Sequence, residues 1–133
     1  MMRFANTETQ RNITKAIKKA ARTHGIEALR ADERSYAGIV VLNVKTYMWD
    51  CGFGFAVFDH ISSEDEKYNP NIAFEVGYMY ALQKRTCLLT DISMTSLQSD
   101  LGGKIYYPFD AQDPDRSIKE AIDKWWRSQG LDR

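Results

Sequence analysis

Phe53-Gly54-Phe55-Ala56-Val57-Phe58-Asp59 is the stretch whose reading decides the fold. An unbroken apolar run closed by an acid fits a strand buried on both faces, as in a parallel sheet covered by helices. Thr86-Cys87-Leu88-Leu89-Thr90, followed by Asp91, repeats the pattern. Between the two runs lies the polar loop Ser62-Ser63-Glu64-Asp65-Glu66-Lys67-Tyr68, then Asn69-Pro70, an N-cap residue followed by proline at the first helical position. Residues 72–82 are apolar except for Glu75, and Gln83-Lys84-Arg85 closes the helix. Strand, helix and strand in this order predict a right-handed parallel crossover.

Working upstream, 35–51 reads two ways. Ile39-Val40-Val41-Leu42 is β-branched, but Val40, Val41, Val44, Tyr47 and Met48 recur at helical spacing. A helix is expected, because the next strand follows too soon for another. Residues 26–30 read as a short strand. Before it, Thr7 with Gln10 makes a capping-box pattern, Ile13, Ala16, Ile17 and Ala20 share one helical face, and Gly25 supplies a stop. Met2-Arg3-Phe4 ends a first short strand. Downstream, Ile105-Tyr106-Tyr107 reads as an edge strand stopped by Pro108. Pro114 opens a last helix whose Ile118, Ala121, Ile122, Trp125 and Trp126 form an apolar stripe, with both tryptophans expected in packing. The alternation predicts an α/β chain of one domain, a flavodoxin-like doubly wound parallel sheet with helices on both faces.

The 133 residues carry 18 Lys+Arg and 18 Asp+Glu, a net charge of 0, with 44% hydrophobic and 12% aromatic residues. That is ample for a core and excludes global disorder. The neutral balance argues against nucleic acid or an anionic membrane as partner. With a mean hydropathy of -0.47, no apolar run is long enough for a membrane helix, and no secretory signal region opens the chain. Cys51 and Cys87 form no CxxC, and neither they nor His24 and His60 have metal-ligand spacing. A reduced, cytoplasmic setting is expected.

Ligands of open parallel sheets bind outside the carboxyl ends of the strands. This rim gathers Arg3, Phe4 and Asn6; Arg30, Asp32 and Tyr36; Asp59, His60, Ser62 and Ser63; Thr90 and Asp91; and Asn69 and Asn71. Glu75 is the sharpest signal, the one charge in a helix otherwise apolar all round and therefore expected to be buried. Asn71 lies at i−4 on the same face, and helical side chains lean toward the N-terminus, which aims Glu75 at the rim. A carboxylate in a partly apolar cleft can attack or electrostatically stabilise a sugar oxocarbenium centre. The same residue equally suits a structural ion pair with Arg3 or Arg30. Those arginines read either as solvated charges or as phosphate forks, and Asp59 as a strand-end turn residue or a hydroxyl acceptor.

Asn69-Pro70-Asn71-Ile72-Ala73-Phe74-Glu75-Val76-Gly77-Tyr78 resembles the NPNxxxExGY signature of bacterial TIR-like nucleotide-binding proteins and of their relatives, the nucleoside 2-deoxyribosyltransferases. Met2-Arg3-Phe4, Arg30-Ala31-Asp32, Asn43-Val44 with Tyr47-Met48, Ala56-Val57-Phe58-Asp59 and Leu97-Gln98-Ser99-Asp100-Leu101-Gly102-Gly103 extend the likeness over nearly the whole chain. The first strand is shorter than in such families. The resemblance implies a flavodoxin-like fold and cleavage of the N-glycosidic bond of NAD or a related nucleotide, as substrate rather than cofactor, in antiphage defence or signalling. It implies Glu75 as the catalytic carboxylate, Asn71 and Asp59 on ribose hydroxyls, and Arg3, Phe4, Arg30, Asp32, Asn69 and Tyr36 on the nucleotide. Self-association or a separate sensor protein would be the partner.

Two alternatives stand beside this expectation. One is a non-catalytic nucleotide-binding or assembly module; the other is a nucleoside 2-deoxyribosyltransferase, less favoured because the arginines suit a phosphorylated ligand. A receiver domain lacks its acids after strand one, and neither GxGxxG nor GxxxxGK[ST] occurs.

Overall fold

The computed structural model describes residues 1–2, 7–31, 40–59, 70–94 and 105–132. Helix α1 spans Glu8–Thr23. Thr7 caps it, its Oγ accepting from the Gln10 N–H at 3.2 Å. Gly25, at φ 73°, ends it in the left-handed conformation that glycine adopts without penalty. The Ile26 N–H returns to the Ala21 carbonyl, which also accepts from the His24 N–H. Helix α2 covers Val40–Asp50, so the helical reading of this ambiguous segment holds there, and 32–39 lie outside the described residues. Strand β1 is Phe53–Phe58, helix α3 is Pro70–Ala81, strand β2 is Arg85–Asp91, strand β3 is Tyr107–Phe109 and helix α4 is Pro114–Ser128.

The strands form a parallel sheet in the order β1-β2-β3. The register sets Phe58 beside Thr90 and Leu89 beside Tyr107. Strand pleating sends alternate residues to opposite faces, and two cores result. On one face, Val57, Cys87, Leu89 and Phe109 pack with Ile13 and Ile17 of α1 and Ile118, Ile122 and Trp125 of α4. On the other, Ala56, Phe58 and Leu88 pack with Ile72 and Val76 of α3. The runs through β1 and β2 are therefore apolar throughout because both faces are covered. Among the described residues, no helix is long and apolar enough to cross a membrane.

Three expectations are corrected. Residues 26–30 carry no strand pairing, because the hollow described below separates them from β1. Pro108 does not stop β3 but lies inside it, opposite Thr90; proline is tolerated there because β3 is an edge strand of the described sheet. Helix α3 is not buried all round. Ile72, Val76 and Met79 are buried, while Phe74 is 63% exposed and Gly77 faces solvent. Arg3 and Phe4 of the expected first strand lie outside the described residues. Met1, just before them, pairs with β1. The tryptophan reading is met, with Trp125 buried and Trp126 partly buried against the same core.

Candidate functional site

Met1, β1, the inner face of α2, residues 26–31 and one face of α3 surround a hollow of ≈190 Å³. Met48, Phe53, Phe55 and Met79 supply apolar wall, while Arg30 and Glu75 supply charge. The backbone of β1 forms the floor. Asn43 holds the wall together from α2, its side-chain amide donating to the Ala31 carbonyl at 2.7 Å. Such a ligation of helix to neighbouring segment fixes the spacing between two otherwise separate borders of the hollow.

Glu75 reaches the hollow because α3 brings it between the buried residues Ile72 and Val76 and the outward Phe74. Burial pushes its carboxyl above the ordinary range, and the Met1 amino group acts in the opposite sense. Desolvation disfavours the charged form of an acid, which is the cause of the rise. Met1 answers in kind. Burial holds its ammonium below the ordinary value, the Glu75 carboxylate opposes that, and Arg30 adds to it. Arg30 also donates from Nη1 to the Thr14 hydroxyl at 3.4 Å, which ties the guanidinium to α1.

Of the residues expected to act together, Glu75 and Arg30 share this hollow, and no salt bridge joins them among the described residues. Asp59 lies at the carboxyl end of β1, 3% exposed, and Asn71 is exposed in the first turn of α3; neither lines the hollow. Arg3, Phe4, Asp32, Tyr36, His60 and Asn69 lie outside the described residues.

Two further features belong to the site. Asp91, 6% exposed, ends β2 one residue after Thr90, the register partner of Phe58, and Asp59, 3% exposed, follows Phe58, so the ends of β1 and β2 each carry a buried carboxylate. Asp91 takes the Ser93 N–H at 3.3 Å. The Met1 amino group also lies within electrostatic range of Glu75, from a position far apart in the chain. The first is legible in the repeated apolar run closed by an acid, whereas the second depends on tertiary packing that no local motif announces. Among the described residues, no group of three His, Cys, Asp or Glu side chains gathers as a metal site.

Chemically, the hollow offers a half-buried carboxylate with a raised proton affinity, a guanidinium and apolar walls. That set can receive a ring, bind an anionic group and meet developing positive charge. No protein-family model, no curated protein and no solved structure matches the chain.

Proposed function

We propose that the chain is a TIR-like N-glycosidase that cleaves the bond between base and ribose in NAD or a related nucleotide, on a flavodoxin-like doubly wound scaffold, in bacterial antiphage defence or signalling. The setting of Glu75 carries this reading: a carboxylate made reluctant to ionise by burial, bordering a hollow that it shares with Arg30. As the glycosidic bond breaks, nicotinamide leaves with the bonding electron pair and becomes neutral. The ribosyl carbon is left with positive charge, which the Glu75 carboxylate stabilises at close range in a medium poorer than water in screening. Water then adds to that carbon and loses a proton, giving ADP-ribose. Arg30, which borders the hollow, would bind a phosphate; Asn71 and Asp59 stand outside the hollow, and their role on ribose hydroxyls rests on the resemblance alone.

Nicotinamide release from NAD by purified, concentrated protein tests the reading directly. Glu75→Ala should lower the rate at least about 100-fold, as loss of a main electrostatic stabiliser does. Equal turnover by wild type and variant would remove Glu75 from the chemistry.

A second reading has its own support. Trp49 and Phe74 are 61% and 63% exposed, and the Trp49 indole N–H donates to the Tyr78 hydroxyl at 2.8 Å across α2 and α3. An ordered aromatic face suits a non-catalytic module that binds a nucleotide and self-associates. Ligand-dependent melting shifts without product would favour it. Base exchange between deoxynucleosides would instead identify a deoxyribosyltransferase.

A further inference from the structure

Gln10 is out of character in the stripe that α1 turns toward the sheet. Ile13, Ile17 and Ala20 on that face are apolar and pack in one core with Val57 and Leu89. Gln10, one turn earlier, is wholly buried, yet neither its Nε2 nor its Oε1 has a hydrogen-bond partner among the described residues. Its backbone is fixed by the Thr7 cap. Buried amide atoms are almost always bonded, so a pair left without partners points to a bound water or ion.

The course of α1 places this amide. At the far end of the helix His24 stacks on Trp126, 4.7 Å between centroids, and Trp126 meets Phe53, the first residue of β1, at 5.7 Å. Helix α1 therefore runs against β1 and starts beside the strand's carboxyl end. Gln10 lies ~4.5 Å beyond Ile13 along the helix, and Asp59 lies ~6.6 Å beyond Val57 along the strand. The pleat that sends Val57, Cys87 and Leu89 into the α1 face directs Asp59 and Asp91 to the same face. Helical side chains lean toward the N-terminus, so the amide tips toward the rim and these two buried carboxylates. Asp91 has no ion pair among the described residues; its Oδ1 takes the Ser93 N–H, which leaves Oδ2 for a further partner.

We propose that Asp59, Asp91 and Gln10 hold a hard divalent cation, Mg²⁺ by its donor set, at the carboxyl rim of the sheet. Every donor is oxygen, which favours Mg²⁺ or Ca²⁺ over softer metals. One or two carboxylates with the remaining positions left to water is the usual Mg²⁺ arrangement. Gln10 Oε1 faces the ion, and its Nε2 then donates to a coordinating carboxylate, which satisfies both orphaned atoms at once. The ion also offsets the cost of two acids withdrawn from water. Its open positions lie where ligands of open parallel sheets bind, and they suit a phosphate-bearing ligand. None of the three residues lines the hollow, so the cation site does not depend on Glu75 or on the glycosidase proposal. Asp59 becomes a metal ligand rather than a ribose acceptor.

Two measurements test it on the chain after dialysis against EDTA. MgCl2 added to about 10 mM should raise Tm by about 4 °C over NaCl of equal ionic strength, the shift that a tenfold excess over the dissociation constant gives. Gln10→Leu and Asp91→Asn should each reduce that shift by at least about half. Mn²⁺, a paramagnetic stand-in for Mg²⁺, should broaden the amide signals of Gln10, Phe58 and Ile92 and spare those of Phe53 and Arg85, ~20 Å away at the other end of the strands. The Mn²⁺ measurement needs no variant, so it decides even if a substitution prevents folding. Absence of both the Tm shift and the selective broadening would overturn the proposal, leaving a water beside Gln10. Equal shifts in wild type and both variants, or broadening confined to exposed acids such as Asp115 and Glu120, would also overturn it.

Discussion

The two edges of β1 are furnished very differently. Towards β2, every residue from Phe53 to Phe58 has a register partner. Away from β2, Met1 alone among the described residues pairs with the strand, and the hollow takes up the remainder. The side chains of the odd residues follow a third pattern: Phe53 and Phe55 meet the Trp125 ring edge-on at 5.9 and 5.7 Å between centroids. Stability thus comes from the β2 ladder and the α1–α4 face, while the open edge borders the hollow that Arg30 and Glu75 line. That division is common where a rigid scaffold positions a site.

The largest effect separates these regions by breaking the closed one. Trp125 is 2% exposed and anchors the face shared by α1, α4 and β1. Trp125→Ala should cost about 3–5 kcal/mol, through lost transfer energy and the cavity left behind. Urea unfolding followed by far-UV circular dichroism measures it. A loss below about 1 kcal/mol would mean that the closed face contributes no more than the open edge.

A smaller change sharpens the comparison at the boundary. A Cβ at Gly54 would come within 2.9 Å of the methyl carbons of Met1 and Met79 and 3.3 Å of Thr86 Cγ2. The first two are ends of flexible side chains, and the adjoining hollow gives them somewhere to move. Gly54→Ala should therefore cost about 1 kcal/mol, the low end of overpacking penalties. Thermal unfolding measures the loss, and a cost above about 3 kcal/mol would show that the methionine ends do not use the hollow.

What could be read in the sequence follows the range of the interaction responsible. Thr7, Gln10 and Gly25 set the ends of α1 by contacts within a turn, and the stripe on α4 needs only its own periodicity. The buried strands β1 and β2 show in their composition, since both faces demand apolar residues. Residues 26–30 look like a strand, but a strand exists only through its neighbour, and that neighbour is a matter of the whole sheet. Pro108 reads as a stop unless one knows that its strand is an edge. Glu75 stands out because a lone acid in an apolar helix is conspicuous. Arg30 is expected near it from the rim, and both line the hollow, but the approach of Met1 is not legible, since it depends on how the chain end docks on β1. The exposure of Phe74 was hidden for a related reason: an apolar helix announces no outward face.

The finest test concerns Glu75 alone. Burial raises its folded-state proton affinity above the ordinary value of 4.5, so the folded chain binds this proton more tightly than the unfolded chain. Stability from the protonated form is complete below about pH 4.5 and is lost as pH rises through the folded-state value. The stability of wild type minus that of Glu75→Gln should therefore decline above pH 4.5 and then level off. Because water still reaches the half-buried carboxylate, the total change should stay below about 1 kcal/mol. The Met1 ammonium works in the other direction. Its affinity is lowered by burial against the pull of Glu75, so the folded chain binds that proton less tightly and stability rises as pH climbs towards the ordinary amine value. Acetylating the amino terminus removes this second slope and isolates the first. Urea midpoints between pH 4 and 8 on the acetylated pair decide the matter. A flat difference would mean that the carboxylate is as well solvated in the fold as outside it, and the open edge of β1 would lose its claim to be a site distinct from ordinary surface.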